Sequence, residues 1–273
     1  MNPLHLSVLI GLINSLPIII WGSYFLNKHN EKRKWVLYSF SLGSLTVIPL
    51  VFFKEIASYL PFLDFQTALN NSDHLQTSVL SVPLAVISFI VVVAIIEEYF
   101  KHKVADKVDK SEITSIDDAI EFSIMAALGF AFAENTFYLI NIWQNLDIQT
   151  FWSVYLLRAV FSTFAHCLFS TIYGYYFGLS LFADKVFDKT NYHPYSLSAF
   201  LQKFHIVMNK TFLKKIFATE SQFIGLFYAS IIHSMFNIAL ELQWNLVLVP
   251  FVFFGLSFVN YLINSKKNLK EMI

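Results

Sequence analysis

The sequence predicts an all-α fold: a polytopic membrane helix bundle of about seven transmembrane helices, with the N-terminus outside and the C-terminus cytoplasmic. Three observations predict it. Of 273 residues, 56% are hydrophobic and only 14% are charged, against roughly 25% charged in soluble domains. The apolar residues gather into stretches long enough to cross about 30 Å of hydrocarbon, which takes roughly 20 helical residues. The basic residues alternate between successive connections, which gives the chain a direction through the bilayer.

The stretches fall at about 6–26, 35–53, 79–100, 119–142, 151–182, 222–241 and 246–264. The first lacks a basic leader and runs to spanning length, so it reads as a span and not a cleavable signal. The fifth is long enough to tilt or to extend beyond the bilayer. The first connection holds Lys28, Lys32, Arg33 and Lys34, and the third holds Lys101, Lys103, Lys107 and Lys110. The fifth and the tail are also lysine-rich, whereas connections two, four and six add only Lys54. By the positive-inside rule the odd connections are cytoplasmic.

The whole chain, 1–273, reads as a single transmembrane domain with a motif-bearing core at about 80–240 and no internal repeat. Residues 54–78 form a weakly acidic outer loop, and 183–221 form the largest cytoplasmic connection. In its second half Leu197, Phe200, Leu201, Phe204, Met208, Phe212 and Ile216 recur at helical spacing. Lys203, Lys210 and Lys214 fall mostly opposite, which predicts a basic amphipathic helix on the inner leaflet. The formal net charge is zero and no basic, aromatic-interleaved module is present, which argues against a nucleic-acid partner. The lone Cys167 excludes an intrachain disulfide.

Several polar residues interrupt the apolar stretches. Glu97 and Glu98 close the third, and a central charge in a bilayer costs about 2.5–3.5 kcal/mol. Lys101 shares their helix face. Two readings stand open: acids snorkelling beside lysines, or a functional site. Glu134 and Asn135 sit in the fourth stretch, Arg158 and His166 in the fifth, His233 and Asn237 in the sixth. Counting from the ends puts Glu134, His166 and His233 near the midplane, with Glu97 about 10 Å nearer the cytoplasm at a rise of about 1.5 Å per residue. Arg158 has a bland reading as a structural partner of Glu134. A converging Glu/His set fits metal-assisted or glutamate-based hydrolysis, and it equally fits a proton or metal-ion transporter. The second is disfavoured by the lack of repeats or of paired broken helices.

In order along the chain, Glu97-Glu98-Tyr99-Phe100-Lys101 matches an EExxK signature, and Phe130 to Glu134 followed by Asn135 matches FxxxE with Asn. Arg158 and His166 with the Gly174/Gly178 stripe, and His233 to Asn237 as HxxxN, complete the set. Together they resemble the PrsW family of intramembrane proteases, relatives of the CAAX and bacteriocin-processing enzymes. The glutamate pair is followed by lysine at the PrsW spacing and not by arginine at the CAAX spacing, EExxxR, which disfavours prenyl-protein processing. Glu134 stands where those relatives carry His.

The resemblance implies an intramembrane endopeptidase of the bacterial cytoplasmic membrane. Its partners would be the lipid bilayer and a membrane protein or peptide substrate, such as a single-span anti-sigma-type regulator. In the expected mechanism Glu97 is the general base, Glu98 positions it, and Lys101 limits their repulsion. His166 holds the water, while His233 and Asn237 donate to the oxyanion. Glu134, Asn135 and Arg158 support these groups. Glu98, Glu134, His166 and His233 form a candidate zinc donor set, and a metal-independent glutamate mechanism stands equally beside it.

Overall fold

A computed structural model describes residues 3–28, 31–59, 84–143, 147–189, 210–242 and 248–270. Among these, all regular structure is helical. The helices are α1 (Pro3–Lys28), α2 (Arg33–Leu45), α3 (Val47–Ser58), α4 (Leu84–Ala105) and α5 (Ile116–Ile142). They continue with α6 (Ile148–Leu156), a π-helical turn at Leu157–Ser162, α7 (Thr163–Leu181), α8 (Ala183–Lys189), α9 (Lys210–Glu241) and α10 (Leu248–Lys270).

Four helical stretches are long and apolar enough to cross a membrane: Ser7–Lys28, Arg33–Ala57, Ile148–Leu181 and Lys210–Glu241. Val249–Leu262 is a shorter apolar helix. α4 and α5 run for 22 and 27 residues, but Glu97, Glu98 and Lys101 interrupt the first, and Glu121 and Glu134 the second. Large apolar side chains such as Leu12, Ile20, Phe52, Phe223, Met235 and Phe253 face outward. A surface this apolar belongs against lipid.

Local chemistry explains the breaks. α2 yields to α3 at Thr46 because Pro49 lacks an N–H and its ring opposes the carbonyl four residues back. Thr46 instead bonds Gly43 O through Oγ1 at 2.6 Å. α5 begins with a capping box in which Ser115 and Asp118 satisfy each other's backbone N–H groups. Lys32 adds an ion pair to Asp118 at 2.8 Å. This end lies ahead of the apolar stretch. Burial presses the Asp118 carboxyl upward, but hydrogen bonds from Lys32 and Thr114 hold it below the usual range.

α5 and α7 form the centre of the bundle and are buried along most of their length. Close approach to α5 depends on glycine. A Cβ at Gly43 would collide with the Ala126 backbone, and one at Gly129 would collide with the Phe40 carbonyl. A small-residue seam of this kind lets membrane helices pack backbone to backbone. Asn14 ties α1 to the same helix, donating to Phe132 O at 2.9 Å and Thr136 Oγ1 at 2.8 Å.

The amphipathic expectation changes in part. Residues 190–209 and 60–83 lie outside the described residues, and with them most of that segment and of the outer loop. From Lys210 onward the chain is not a separate surface helix, because it runs unbroken into α9. Leu213 and Phe217 are buried, with Phe217 packed beside Val186. Lys214 bonds the Asp184 carbonyl at 3.1 Å. Leu213 and Phe217 are covered within the bundle, whereas Phe212, on the expected apolar face, is 48% exposed, and no glycine or proline stops the helix before the span begins.

Candidate active site

Four helices each contribute polar residues to one buried cluster. α4 brings Glu97, Glu98 and Lys101, which are 2%, 0% and 1% exposed. α5 brings Glu134 and Asn135, α7 brings His166, and α9 brings His233. Ligand atoms of Glu97, His166 and His233 lie within 4.8 Å of one another. The expected depth offset of Glu97 is therefore absent. α4 and α9 extend past the apolar stretches used for counting, so the stretch ends misjudge relative height.

Glu98 Oε1 receives Lys101 Nζ at 2.5 Å and His233 Nδ1 at 2.7 Å. An ionised carboxylate only accepts, so His233 donates Nδ1–H and presents the Nε2 lone pair. Nε2 faces Glu97 Oε2 at 3.5 Å. That carboxylate oxygen is buried and has no hydrogen bond among the described residues. Lys54 approaches the other oxygen of Glu97 at 3.9 Å. Two acceptors facing each other call for a donor or a cation between them.

His166 has a second, parallel support. Lys101 Nζ lies 3.2 Å from Nδ1, and Glu134 Oε2 lies 3.3 Å from Nε2. Lysine can only donate, so Nδ1 accepts and Nε2–H points to Glu134. Arg158 reaches Glu134 at 3.1 Å through NH2 and Asn135 at 3.1 Å through Nε. Asn135 returns a bond to the Arg158 carbonyl at 3.0 Å and another to Thr163 Oγ1 at 3.1 Å. Within the π-helical turn that carbonyl also accepts the Thr163 backbone N–H five residues on, and such turns often occur at functional sites.

The donor set that the geometry gathers is Glu97, His166 and His233. Glu98 and Glu134 instead hold the two imidazoles from behind. This departs from the donor set expected from sequence, which placed Glu98 and Glu134 on the metal. Two histidines and one carboxylate suit zinc, and carboxylate-backed imidazoles are the usual second layer of such sites. The fit rests on the bare Glu97 oxygen facing the His233 Nε2 lone pair; His166 Nδ1 accepts from Lys101 at 3.2 Å and would serve a metal only once Lys101 turned from it. Asn237 is half-buried one turn beyond His233 and makes no side-chain hydrogen bond with the described residues. The Nδ1–H of His233 is committed to Glu98 at 2.7 Å and is not available to a further acceptor.

Sequence reasoning passed over Phe169 and His102, and it named Phe130 only as the start of the FxxxE motif. Phe169 stacks on His233 with centroids 4.7 Å apart, and Phe130 meets His166 edge-on at 5.2 Å. His102, 4% exposed, stacks on Tyr173. Helical spacing was the available signal: Phe169 is three residues after His166, and His102 four after Glu98.

A sequence profile of the family described as PrsW family intramembrane metalloprotease matches residues 31–262. Protease PrsW of Oceanobacillus iheyensis is 29% identical over 199 residues, covering 72% of this chain and 77% of that protein. No solved structure matches the chain.

Proposed function

The chain belongs to the PrsW family of intramembrane proteases, and from that premise we propose that Glu97, His166 and His233 form its hydrolytic centre. The observation that carries the proposal is their convergence within 4.8 Å. The protein is a membrane protease acting on membrane-associated substrates. A transporter that uses the same residues as an ion relay is not favoured.

In the proposed reaction a water sits beside the 3.5 Å pair of Glu97 Oε2 and His233 Nε2, within reach of both. Glu97 takes its proton as general base, and the hydroxyl adds to the peptide carbonyl. Asn237 donates to the developing oxyanion. Glu97 then returns the proton to the leaving nitrogen. Glu98 fixes the tautomer of His233, and Glu134 fixes that of His166. Lys101 keeps the adjacent carboxylates compatible. A zinc ion held by Glu97 and His233, and by His166 once Lys101 released its Nδ1, would polarise the carbonyl and acidify the water. Glu98 Oε2, also buried without a hydrogen bond, would in that case be the carboxylate oxygen free to accept a proton.

The seven-span topology with a cytoplasmic C-terminus, the bacterial cytoplasmic membrane and an anti-sigma-type substrate belong to the same proposal. The test incubates purified protein in detergent with a labelled single-span peptide, with and without chelator. Cleavage that Glu97→Gln abolishes supports the site, and chelator sensitivity separates the two chemistries. Unchanged cleavage by a folded Glu97→Gln protein overturns it.

A further inference from the structure

Hydrolysis inside an apolar bundle consumes water where water is scarce. Three buried polar atoms close to the site have no hydrogen bond among the described residues: His102 Nε2, Ser170 Oγ and Ser230 Oγ. Their residues are 4%, 1% and 5% exposed. Ser39, Tyr175 and Ser221 also carry buried hydroxyls without a partner among the described residues, whereas small hydroxyls beside the two serines are satisfied within their helices. Ser123, Thr171 and Ser234 each donate to the carbonyl four residues back, at 2.7, 2.8 and 2.7 Å.

The positions of the three are regular. His102 follows Glu98 by four residues, Ser170 follows His166 by four, and Ser230 precedes His233 by three. Each therefore shares a helix face with a member of the cluster. The steps also lead the same way. α4 and α7 run in one direction, with Glu98 level with the α7 site residues and His102 level with Tyr173. α9 runs in the other, since His233 meets Phe169 while Gln222 meets Ser180. The three residues thus form a layer about 5 Å beneath the catalytic one at a rise of about 1.5 Å per residue, toward the end that carries the α4–α5 turn.

We propose that His102, Ser170 and Ser230 form a water-holding site that feeds the catalytic layer. Buried water bonds about three otherwise unsatisfied polar groups, and this layer offers three. Glu98 Oε2, also without a hydrogen bond, belongs to the residue one helical turn before His102 and gives a stored molecule its next partner. Each turnover adds one water across the peptide bond, hydroxyl to the carbonyl carbon and proton to the nitrogen. The purpose of the site rests on the hydrolytic reading; its occupancy by water does not.

The test is X-ray radiolytic labelling of the full-length protein in detergent, in which bound water generates hydroxyl radicals in place. His102 and Tyr173 are expected to label several-fold faster than the equally buried Phe122 and Phe177. The Ser170→Ala/Ser230→Ala double variant should remove the difference. With a cleaved peptide, that variant and His102→Phe, which keeps the ring stacked on Tyr173, should lower kcat several-fold with KM unchanged. His102→Gln should restore part of the loss. Labelling of His102 and Tyr173 no faster than Phe122 overturns the water site, even if cleavage stands. Fast labelling without cleavage of any peptide keeps the water site and removes the proteolytic reading.

Discussion

Glu98 and His233 meet through a 2.7 Å contact between Oε1 and Nδ1, across 135 residues of chain. The same oxygen holds Lys101 at 2.5 Å. One carboxylate thus neutralises a buried lysine and sets the tautomer of a histidine. That leaves Glu97, its sequence neighbour, with an uncommitted oxygen. The adjacent acids differ because the turn of the helix aims them at different partners.

Replacing Glu97 with Gln is expected to lower kcat by about 10²–10⁴, the usual contribution of a general base, with little change in thermal stability. Single-turnover cleavage of a labelled peptide, beside an unfolding curve, measures both. A variant that keeps most of its activity would remove Glu97 from the base role.

Glu98 should behave differently. Glu98→Ala leaves Lys101 and His233 buried without their shared partner, and breaking such a group costs about 3–5 kcal/mol. Pairing Glu98→Gln with Lys101→Met removes the stranded charge and should recover most of the stability, but not the activity. Chemical denaturation of the three proteins in one detergent gives the comparison.

Zinc titrated into the purified protein is expected to bind at one site. His166→Ala and His233→Ala should abolish that binding, and Asn237→Ala should leave it intact. Glu98→Gln and Glu134→Gln should weaken it by about 10–100-fold, as loss of a backing carboxylate does. Calorimetry decides the matter: equal heats for wild type and the histidine variants would leave the metal-free route.

The Asp118 carboxyl, held below its usual range by Lys32 and Thr114, should stabilise the fold at neutral pH. A depressed folded value means that this stability is present above the unfolded pKa of about 3.9. It is lost as pH falls further, through the folded value. Asp118→Asn should lower the melting temperature at pH 7 and flatten the acid side of the profile. An acid limb identical to wild type would contradict the capping role.

A side chain at Gly129 has no room against the Phe40 carbonyl. Gly129→Leu should therefore prevent α2 from seating on α5, seen as loss of folded protein after detergent extraction. Gly11, whose Cβ would meet nothing within 4 Å, serves as the control and should tolerate leucine.

Hydropathy made the helices legible, and the four-part motif order made the family legible, because both are local properties of the chain. Relative height was not. Glu97 was expected about 10 Å from histidines that it in fact meets, since helix ends do not coincide with hydropathy edges when helices overrun the bilayer. Nor did hydropathy show that the segment from Lys210 runs unbroken into α9, because no glycine or proline separates them.

By itself, then, the sequence determined an all-helical membrane protein and the residues able to do its chemistry. Only the tertiary structure decided which atoms face each other. It committed Glu98 and Glu134 to the imidazoles, left Glu97 bare, and stacked Phe169 on His233. The physical reason is that a hydrogen bond is made or lost over fractions of an ångström. Helical periodicity assigns a residue to a face, but the packing of four helices sets that distance.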